Sequence, residues 1–423
     1  MRRPAMTLST RLFAQQMLNR FDQINEAVQT RQTQIATGQR ITESADAPVD
    51  AVRLSAVTEL REEVSRYQDN VTTAQRRLSL GDDVLETADN ILSRLRELSI
   101  AAANDAMSAD ERNAIRIETL ELRDAMLSLA NTRDNAGQAL FGGYATDQSP
   151  FVEGPDGRIA YLGDGGEHTL AASDTMRLPT SVNGAKVFMQ VESGGQMVST
   201  FDIIDSFVAA LETAETTSQS ATATTSMSVD LVAARHPQGW AFTLTGPDGS
   251  AEIAFDAVAG NVEEAASAIN AVSAQTGVSA TDVNGRLELS ATGDIALSNL
   301  RIEGVDRAFS PPAYYASVFN EDGAETTLAP ANQEIRAQIA RLGDAGQSIA
   351  VSRTTVGARL NRANDQEELL TQRTLILEQE IGDISSANIE QVITELQALL
   401  VNRDAARQAY SLIGQRSLFD FLN

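Results

Sequence analysis

Apolar residues recur every three or four positions over a long stretch of the first half of the chain. From Leu60 to Ala106 they alternate by steps of four and three, and only Gly81 and Ser99 interrupt the series. This alternation averages 3.5 residues per turn, which keeps one narrow seam facing a partner helix. It predicts a single rod-like helix about 70 Å long, against the alternative of a long core helix in a globular protein. The seam is assigned to Leu60, Val64, Tyr67, Val71, Leu78, Leu85, Leu92 and Leu95.

A similar seam occurs towards the other end of the chain. Its apolar residues stand at intervals of seven, although the second position of each repeat is mixed because Glu367 and Thr374 interrupt it. The pattern predicts another long helix that packs on one neighbour along a narrow stripe. The residues of this seam are Ile349, Val356, Ala363, Leu370, Leu377 and Ile384, of which Ala363 and Ile384 complete the pattern and the other four are assigned to assembly.

The outermost segments contain more apolar residues than these two helices need. A helix at the N-terminal end is predicted to stop before Gly38, and the last helix has Leu396 and Leu400 on its apolar face. Segments 1–40 and 401–423 therefore look like surfaces that other subunits cover, with disorder before assembly as their natural state. The residues assigned to terminal assembly are Phe13, Phe21, Ile24, Leu418, Phe419, Phe421 and Leu422.

The two ends of the chain are expected to pack on each other. Asp46 is a candidate cap for the first long helix, and Pro48 suits its first turn, where a missing N–H does no harm. A third helix is predicted at about 110–135. Burying one Leu or Val contributes about 1.5 to 3 kcal/mol, and neither arm can bury its seam alone. An antiparallel bundle of both arms follows.

The centre of the chain has a different pattern. Short alternating runs with Gly-containing turns predict a small β unit over 144–200, followed by a helix at 201–213 and a low-complexity linker at 216–226. Farther on, a Pro-Asp-Gly turn and an Asn-Gly turn predict two hairpins with a helix between them. This ββαββ order is interpreted as an insertion over 218–328, because the helical pattern resumes only near Ala331.

The predicted fold class is α+β: an elongated antiparallel helical bundle built from both chain ends, with a central β-rich region containing a ββαββ insertion. The predicted parts are an assembly helix and turn (1–48), a bundle arm (49–143), a small β domain (144–200), a helix and linker (201–217), the insertion (218–328), a return arm (329–385) and a C-terminal assembly helix (386–423).

Charge follows the same division. The net charge of the chain is −25, of which residues 144–330 carry −18, so the arms are nearly balanced. The net negative charge of the chain argues against a nucleic-acid surface and against binding to an anionic membrane, because both need clustered positive charge. The chain has no cysteine, no run of about 18 apolar residues and no apolar core typical of a cleavable signal near its start.

No catalytic motif is apparent. The glycines of the LGDGGEH segment (162–168) resemble a turn rather than a phosphate or dinucleotide loop. With only His168 and His236 and no cysteine, a metal cluster is not expected, and each histidine is interpreted as a surface turn residue. We therefore expect no catalytic residue, no cofactor and no metal.

Several segments resemble the bacterial flagellin family of axial proteins. The start MTLSTRLFAQQMLNRF (6–21) and the turn before Pro48 are similar to the family's first helix and helix start, although the acidic pair before that proline is reduced to Asp46. FGGYATDQSPF at 141–151, NGAKVF at 183–188 and the ending SLFDFL resemble the family's junction proteins between hook and filament. Residues 267–281 resemble its hook-type insertion motif.

The resemblance implies a structural protein without catalytic activity. It would be exported through the flagellar type III apparatus, self-associate into a ring or helical turn, and contact a preceding hook-associated protein on one side and flagellin on the other. An export chaperone would hold the C-terminal helix. Met6 is a candidate start beside Met1, since the resemblance begins there, and the sequence leaves the choice open.

Three alternatives stay open from the sequence. The nearest is a minor filament flagellin, and a less favoured one is a secreted enzyme whose catalytic insert rides on coiled arms. The third is a generic coiled-coil adhesin with partners outside the flagellum.

Overall fold

The computed structural model describes residues 5–104, 107–305 and 314–419. The helices are α1 (Ala5–Thr37), α2 (Pro48–Ala102), α3 (Ala109–Ala130), α4 (Thr200–Thr216), α5 (Glu263–Ala271), α6 (Ser273–Thr276), α7 (Ala331–Ser385) and α8 (Ile389–Phe419). The strands are β1 (Phe151–Glu153), β2 (Ile159–Tyr161), β3 (Thr169–Ala171), β4 (Arg177–Pro179), β5 (Val191–Ser193), β6 (Gln196–Val198), β7 (Ser220–Ala223), β8 (Ser226–Val232), β9 (Gln238–Gly246), β10 (Gly249–Ala257), β11 (Val278–Val283), β12 (Arg286–Ala291), β13 (Ile295–Ile302), β14 (Tyr315–Phe319) and β15 (Glu325–Leu328).

The chain divides into two compact units. The first unit comprises Met1–Thr72, Ala171–Met176 and Asp365–Asn423, and the second comprises Thr73–Leu170 and Arg177–Asn364. Helices α2 and α7 each contribute to both units. The predicted α+β fold, with helices from both chain ends and a β-rich centre, is confirmed.

Helices α2 and α7 are antiparallel neighbours in the second unit. The side-chain Nε2 of Gln75 donates to Asn364 Oδ1 at 2.9 Å, and Arg353 Nε donates to Asp82 Oδ1 at 3.3 Å. As the residue number increases along α2, the number of the partner residue on α7 decreases, so the two helices are antiparallel. The 3.5-residue period explains the pairing, because it keeps the same narrow apolar stripe of each helix facing its neighbour over many turns.

A cluster of aromatic rings belongs to the same buried core of the second unit as these helices. The ring centroid of Phe188 lies 5.4 Å from that of Phe141 and 5.4 Å from that of Phe151, both edge to face. Phe188 belongs to a short π-helix, Ala185–Met189, which follows Gly184. A side chain at Gly184 would lie 2.5 Å from the Phe141 carbonyl oxygen, so this turn requires glycine.

The inserted region is a β-sandwich with a core of its own. A four-stranded sheet has the order β10-β9-β13-β7, and a five-stranded sheet has the order β11-β12-β8-β14-β15. Buried Trp240, Phe242 and Leu244 of β9 lie in the core between them. The Ser218 amide donates to the Thr327 carbonyl at 2.8 Å beside edge strands β7 and β15, while α5 packs on edge strands β10 and β11. Covered edges offer little template for strand addition by another chain.

The insertion contains more strands than the sequence indicates. The order β9, β10, α5, β11, β12 is the predicted ββαββ unit, and its two hairpins turn at the predicted Pro-Asp-Gly and Asn-Gly segments. Five further strands surround it. The prediction of a linker at 216–226 is wrong, because β7 lies within it and pairs with β13. Its small, hydroxyl-rich residues show no alternation that would reveal a strand.

A substitution at Gly81 tests how α2 and α7 pack in the second unit. It lies on the buried stripe of α2, and a methyl group added there would meet no atom within 4 Å. Alanine costs about 1 kcal/mol less than glycine in a helix interior. We therefore expect Gly81→Ala to raise the free energy of unfolding by about 1 kcal/mol in chemical denaturation. Gly184→Ala, which meets the Phe141 backbone, should lower it, and a destabilised Gly81→Ala protein would contradict the packing of this stripe.

Candidate assembly surface

The first unit pairs the two terminal helices. Val28 of α1 and Val392 of α8 are buried, and Arg31 Nε lies 2.9 Å from Glu395 Oε2. The apolar contact excludes water from the pair, while the half-exposed ion pair contributes little by itself. Residues more than 360 positions apart in the chain thus form one two-helix element.

A turn after α1 connects this element to the start of α8. Gly38 adopts a positive φ of 70°, the left-handed conformation that glycine tolerates after a helix end. The Arg40 amide donates to the Ser385 carbonyl at 2.6 Å, and the Ala387 amide donates to the Gly38 carbonyl at 2.9 Å. These backbone bonds join the turn to the α7–α8 connection.

Arg40 holds the same turn through its side chain. Its Nη2 donates to the Ile384 carbonyl at 2.9 Å and to Asp50 Oδ2 at 2.7 Å. The side-chain Nε2 of buried Gln34 donates to the Arg40 backbone carbonyl at 2.6 Å. The family-like turn residues therefore have a structural role, which is to fix where α1 ends relative to α2 and α8.

Asp46 does not cap α2 as the sequence suggests. Its Oδ2 accepts hydrogen bonds from the Thr42 hydroxyl at 2.8 Å and from the amides of Thr42 and Glu43 at 3.1 and 3.0 Å. The Thr42 hydroxyl, followed by the amide bonds, lowers the pKa of Asp46. The carboxylate bonds to residues that precede it in the chain, so it stabilises the turn before α2. The first hydrogen bond of α2 itself runs from the Ala51 amide to the Ala47 carbonyl.

The seam residues of α2 and α7 occupy different environments. Tyr67 is half-buried, and its hydroxyl lies 2.8 Å from both Glu63 Oε1 and Asp174 Oδ1, which raises its pKa. Leu60 stays 40% exposed, and Leu396 and Leu400 of α8 are half-buried. The other assigned seam residues are buried: Val64, Val71, Leu78, Leu85, Leu92, Leu95, Ile349, Val356, Leu370 and Leu377.

The residues assigned to terminal assembly are only partly described. Phe21 and Ile24 of α1 are half-buried. Phe13 lies on α1, and Leu418 and Phe419 lie at the end of α8. Phe421 and Leu422 lie outside the described residues.

Exposed apolar side chains are concentrated in the first unit. Among the described residues, 11 of the 21 most exposed large apolar side chains belong to it, although it has fewer than half the residues of the second unit. They are Leu12, Leu18, Val49, Val52, Leu60, Leu369, Leu375, Ile376, Ile389, Ile393 and Val401. Such a density marks a surface that another protein covers.

Most of these exposed residues were not assigned from the sequence. Leu369 and Ile376 immediately precede the buried seam residues Leu370 and Leu377, so a second stripe seven residues apart runs beside the first. That adjacent stripe is the signal that could have revealed them. Exposure itself cannot be deduced from spacing, since a core position beside a seam shows the same pattern.

The described residues have neither a metal-ligand cluster nor a membrane-spanning helix. They contain no group of three or more His, Asp or Glu side chains placed to hold a metal ion. Of the two histidines interpreted as surface residues, His236 is exposed, whereas His168 is half-buried with its ring 5.1 Å from the Tyr144 ring, and its backbone amide donates to the Ser181 hydroxyl at 2.9 Å. None of the described helices combines the length and the hydropathy of a membrane span.

Comparison with known proteins agrees with the architecture. The model of the bacterial flagellin N-terminal helical region matches residues 8–146, and the model of the flagellin hook IN motif matches residues 241–293. The second range contains the motif expected at 267–281.

Individual proteins of the flagellum are also similar to this chain. Flagellar hook-associated protein 3 of Escherichia coli is 28% identical over 217 residues, which are 49% of this chain and 67% of that protein. Flagellin B of Vibrio anguillarum is 26% identical over 192 residues, 44% of this chain and 47% of that protein. A solved structure from Vibrio parahaemolyticus, described as a flagellar hook-associated protein, has a TM-score of 0.50 and 13% identity, and covers 81% of this chain and 100% of that one.

Paired terminal helices, the helical match at the N-terminal side and the inserted IN motif together define a structural, flagellin-type protein of the bacterial flagellum. The chain matches the flagellin family models in these two regions. Among the relatives, it is similar to flagellar hook-associated protein 3 over a larger share of the relative's length than it is to flagellin B.

Proposed function

We propose that this chain is the subunit that joins the hook side of the flagellum to the flagellin filament, and that it serves motility without catalysing a reaction. The observation that carries the proposal is the concentration of exposed apolar side chains on the first unit, which contains both terminal helices. A high density of exposed apolar side chains is typical of a surface that other subunits cover. The similarity to hook-associated protein 3 supports the position at the junction.

The terminal segments are the assembling parts in this proposal. Segments 1–48 and 386–423 polymerise into a ring or helical turn, and the buried seams of 49–143 and 329–385 hold the bundle together. The chain contacts a preceding hook-associated protein on one side and flagellin on the other. Export uses the flagellar type III apparatus without a cleaved signal, and a chaperone covers the C-terminal helix beforehand.

The β-rich parts are proposed to face solvent. Residues 144–330 carry most of the net negative charge, which favours solubility and disfavours close packing of equal copies. The sandwich within 218–328 has its own core and covered edges, so it needs no partner to be stable.

A minor filament flagellin is the second candidate, and the similarity to flagellin B favours it. Loss of the gene separates the two. Loss of a junction subunit leaves hooks without filaments, whereas loss of a minor flagellin leaves filaments that are shorter or unchanged.

Removal of 401–423 tests the assembly role. The truncated chain should retain the second unit, because none of the residues that form its core lies in the removed segment. It should nevertheless fail to enter flagella, as measured by microscopy of a tagged copy at the hook–filament boundary and by filament counts. Val283→Asp, at an exposed apolar position of the insertion, is the control and should assemble normally. Normal filaments from the truncated chain would refute the proposal.

A further inference from the structure

A patch on the paired helices of the first unit is not used by the α1–α8 contact. The exposed patch consists of Val49, Val52 and Leu60 on α2 and of Leu369 and Ile376 on α7. These side chains are 83%, 72%, 40%, 59% and 65% exposed, respectively. Val49 and Val52 expose more of their surface than any other large apolar side chains among the described residues.

The patch is organised as two helical stripes. Val49, Val52 and Leu60 are separated by three and eight residues, which places them along one side of α2, and Leu369 and Ile376 are one heptad apart on α7. Arg53 Nη2 lies 2.6 Å from Glu380 Oε1 and joins the two helices at this level. An apolar surface on a helix pair with an ion pair beside it suits a third amphipathic helix.

The same chain exposes a stripe of matching length on α8. Ile389, Ile393 and Val401 are 37%, 40% and 68% exposed, so neither α1 nor the patch of the same copy covers them. This stripe spans 13 residues, an axial rise of about 18 Å, and the α2 stripe spans 12 residues, an axial rise of about 17 Å. Both surfaces are helical and apolar, and the described residues of the same chain leave both of them exposed.

We propose that the exposed patch receives the α8 stripe of a second copy of this chain. The proposal rests on the proposed function, since it specifies how terminal helices assemble. Patch and stripe are different surfaces, so the contact is heterologous and repeats from copy to copy, closing into a ring or continuing as a helix. The α1–α8 pair holds the stripe in place, and the patch defines the neighbour's position.

Photo-cross-linking in assembled flagella tests the contact. A photoreactive phenylalanine analogue replaces Ile376 in the full chain, flagella are isolated and irradiated, and the adducts are identified by mass spectrometry. The expected product is a dimer of the chain linked to residues 389–401 of the second copy. Val351, on the same helix and 57% exposed, is the control position and should give no adduct to that segment.

The possible results separate this contact from the proposed function. An adduct of position 376 to another protein, to a different part of the second copy, or no adduct at all in flagella that contain the chain overturns the contact alone. A chain absent from flagella that still forms the 376 adduct in cells refutes the junction role and supports the contact.

Mixing two variants tests the heterologous geometry. V52D/I376D removes the patch and I393D/V401D removes the stripe, and exposed positions should accept aspartate without loss of helix by circular dichroism. Each variant alone should remain monomeric in sedimentation velocity, whereas an equimolar mixture should form discrete dimers, because each supplies the surface that the other lacks. A mixture that stays monomeric, or oligomers of either variant alone, overturns the proposal.

Discussion

Replacing Leu85 by aspartate is expected to unfold the helix pair of the second unit. Leu85 is fully buried on α2, and it belongs to one core with Ile349 and Val356 of α7. The substitution removes a buried apolar side chain and places a carboxylate in the apolar core, which costs about 5 kcal/mol. Circular dichroism should show a large loss of helix at the growth temperature and a much lower melting temperature.

Ile100 provides the matched control on the same helix. It is 56% exposed, so Ile100→Asp introduces the same charge without burying it and should leave the melting curve almost unchanged. An unchanged melting curve for Leu85→Asp would contradict the assignment of this seam to the core.

Glu334 should make the stability of the second unit fall as pH rises towards neutrality. Its side chain is buried in the first turn of α7, and this burial raises the pKa of Glu334 from 4.5 to about 7. The folded protein therefore binds a proton between these pH values that the unfolded chain has released. The penalty is absent below pH 4.5, grows through this interval and reaches about 3 kcal/mol above pH 7.

Glu334→Gln removes the titrating group while keeping its shape. The variant should be more stable than the parent at pH 8 by up to about 3 kcal/mol and equal to it near pH 4, measured by urea denaturation across this range. Glu111→Gln is the opposite case. Its carboxylate accepts from the Ser108 amide at 2.8 Å, which lowers the pKa of Glu111, so this variant should lose stability at neutral pH. Equal pH profiles for the parent and Glu334→Gln would contradict the burial of a titrating carboxyl.

The long helices were predictable because their information is local and repeated. A stripe every 3.5 residues from Val64 to Leu95 can only be buried by a partner helix, and the structure supplies α7. Hairpins β9–β10 and β11–β12 were predictable for a similar reason, since each has a turn dipeptide between two alternating runs.

Other features depend on residues that are distant in the chain. Strand β7 has little pattern of its own and exists because β13 pairs with it, more than 70 residues away. Asp46 has the residue type and position of a helix cap, yet it bonds to the preceding Thr42 and Glu43. The bonds of Asp46 are local, so this feature differs from β7: the residue type at Asp46 allows both the cap and the turn, and spacing alone does not distinguish them.

By itself, the sequence determined the helical arms, the two hairpins, the acidic centre and the resemblance to flagellins, because periodicity, turn chemistry and charge are properties of contiguous residues. Only the tertiary structure decided which apolar residues remain outside the cores. Leu369 and Ile376 repeat at the same seven-residue interval as the buried Leu370 and Leu377, and their exposure depends on how α2 and α7 are rotated against each other. The surface available for assembly is therefore what remains after the chain's own helices have packed.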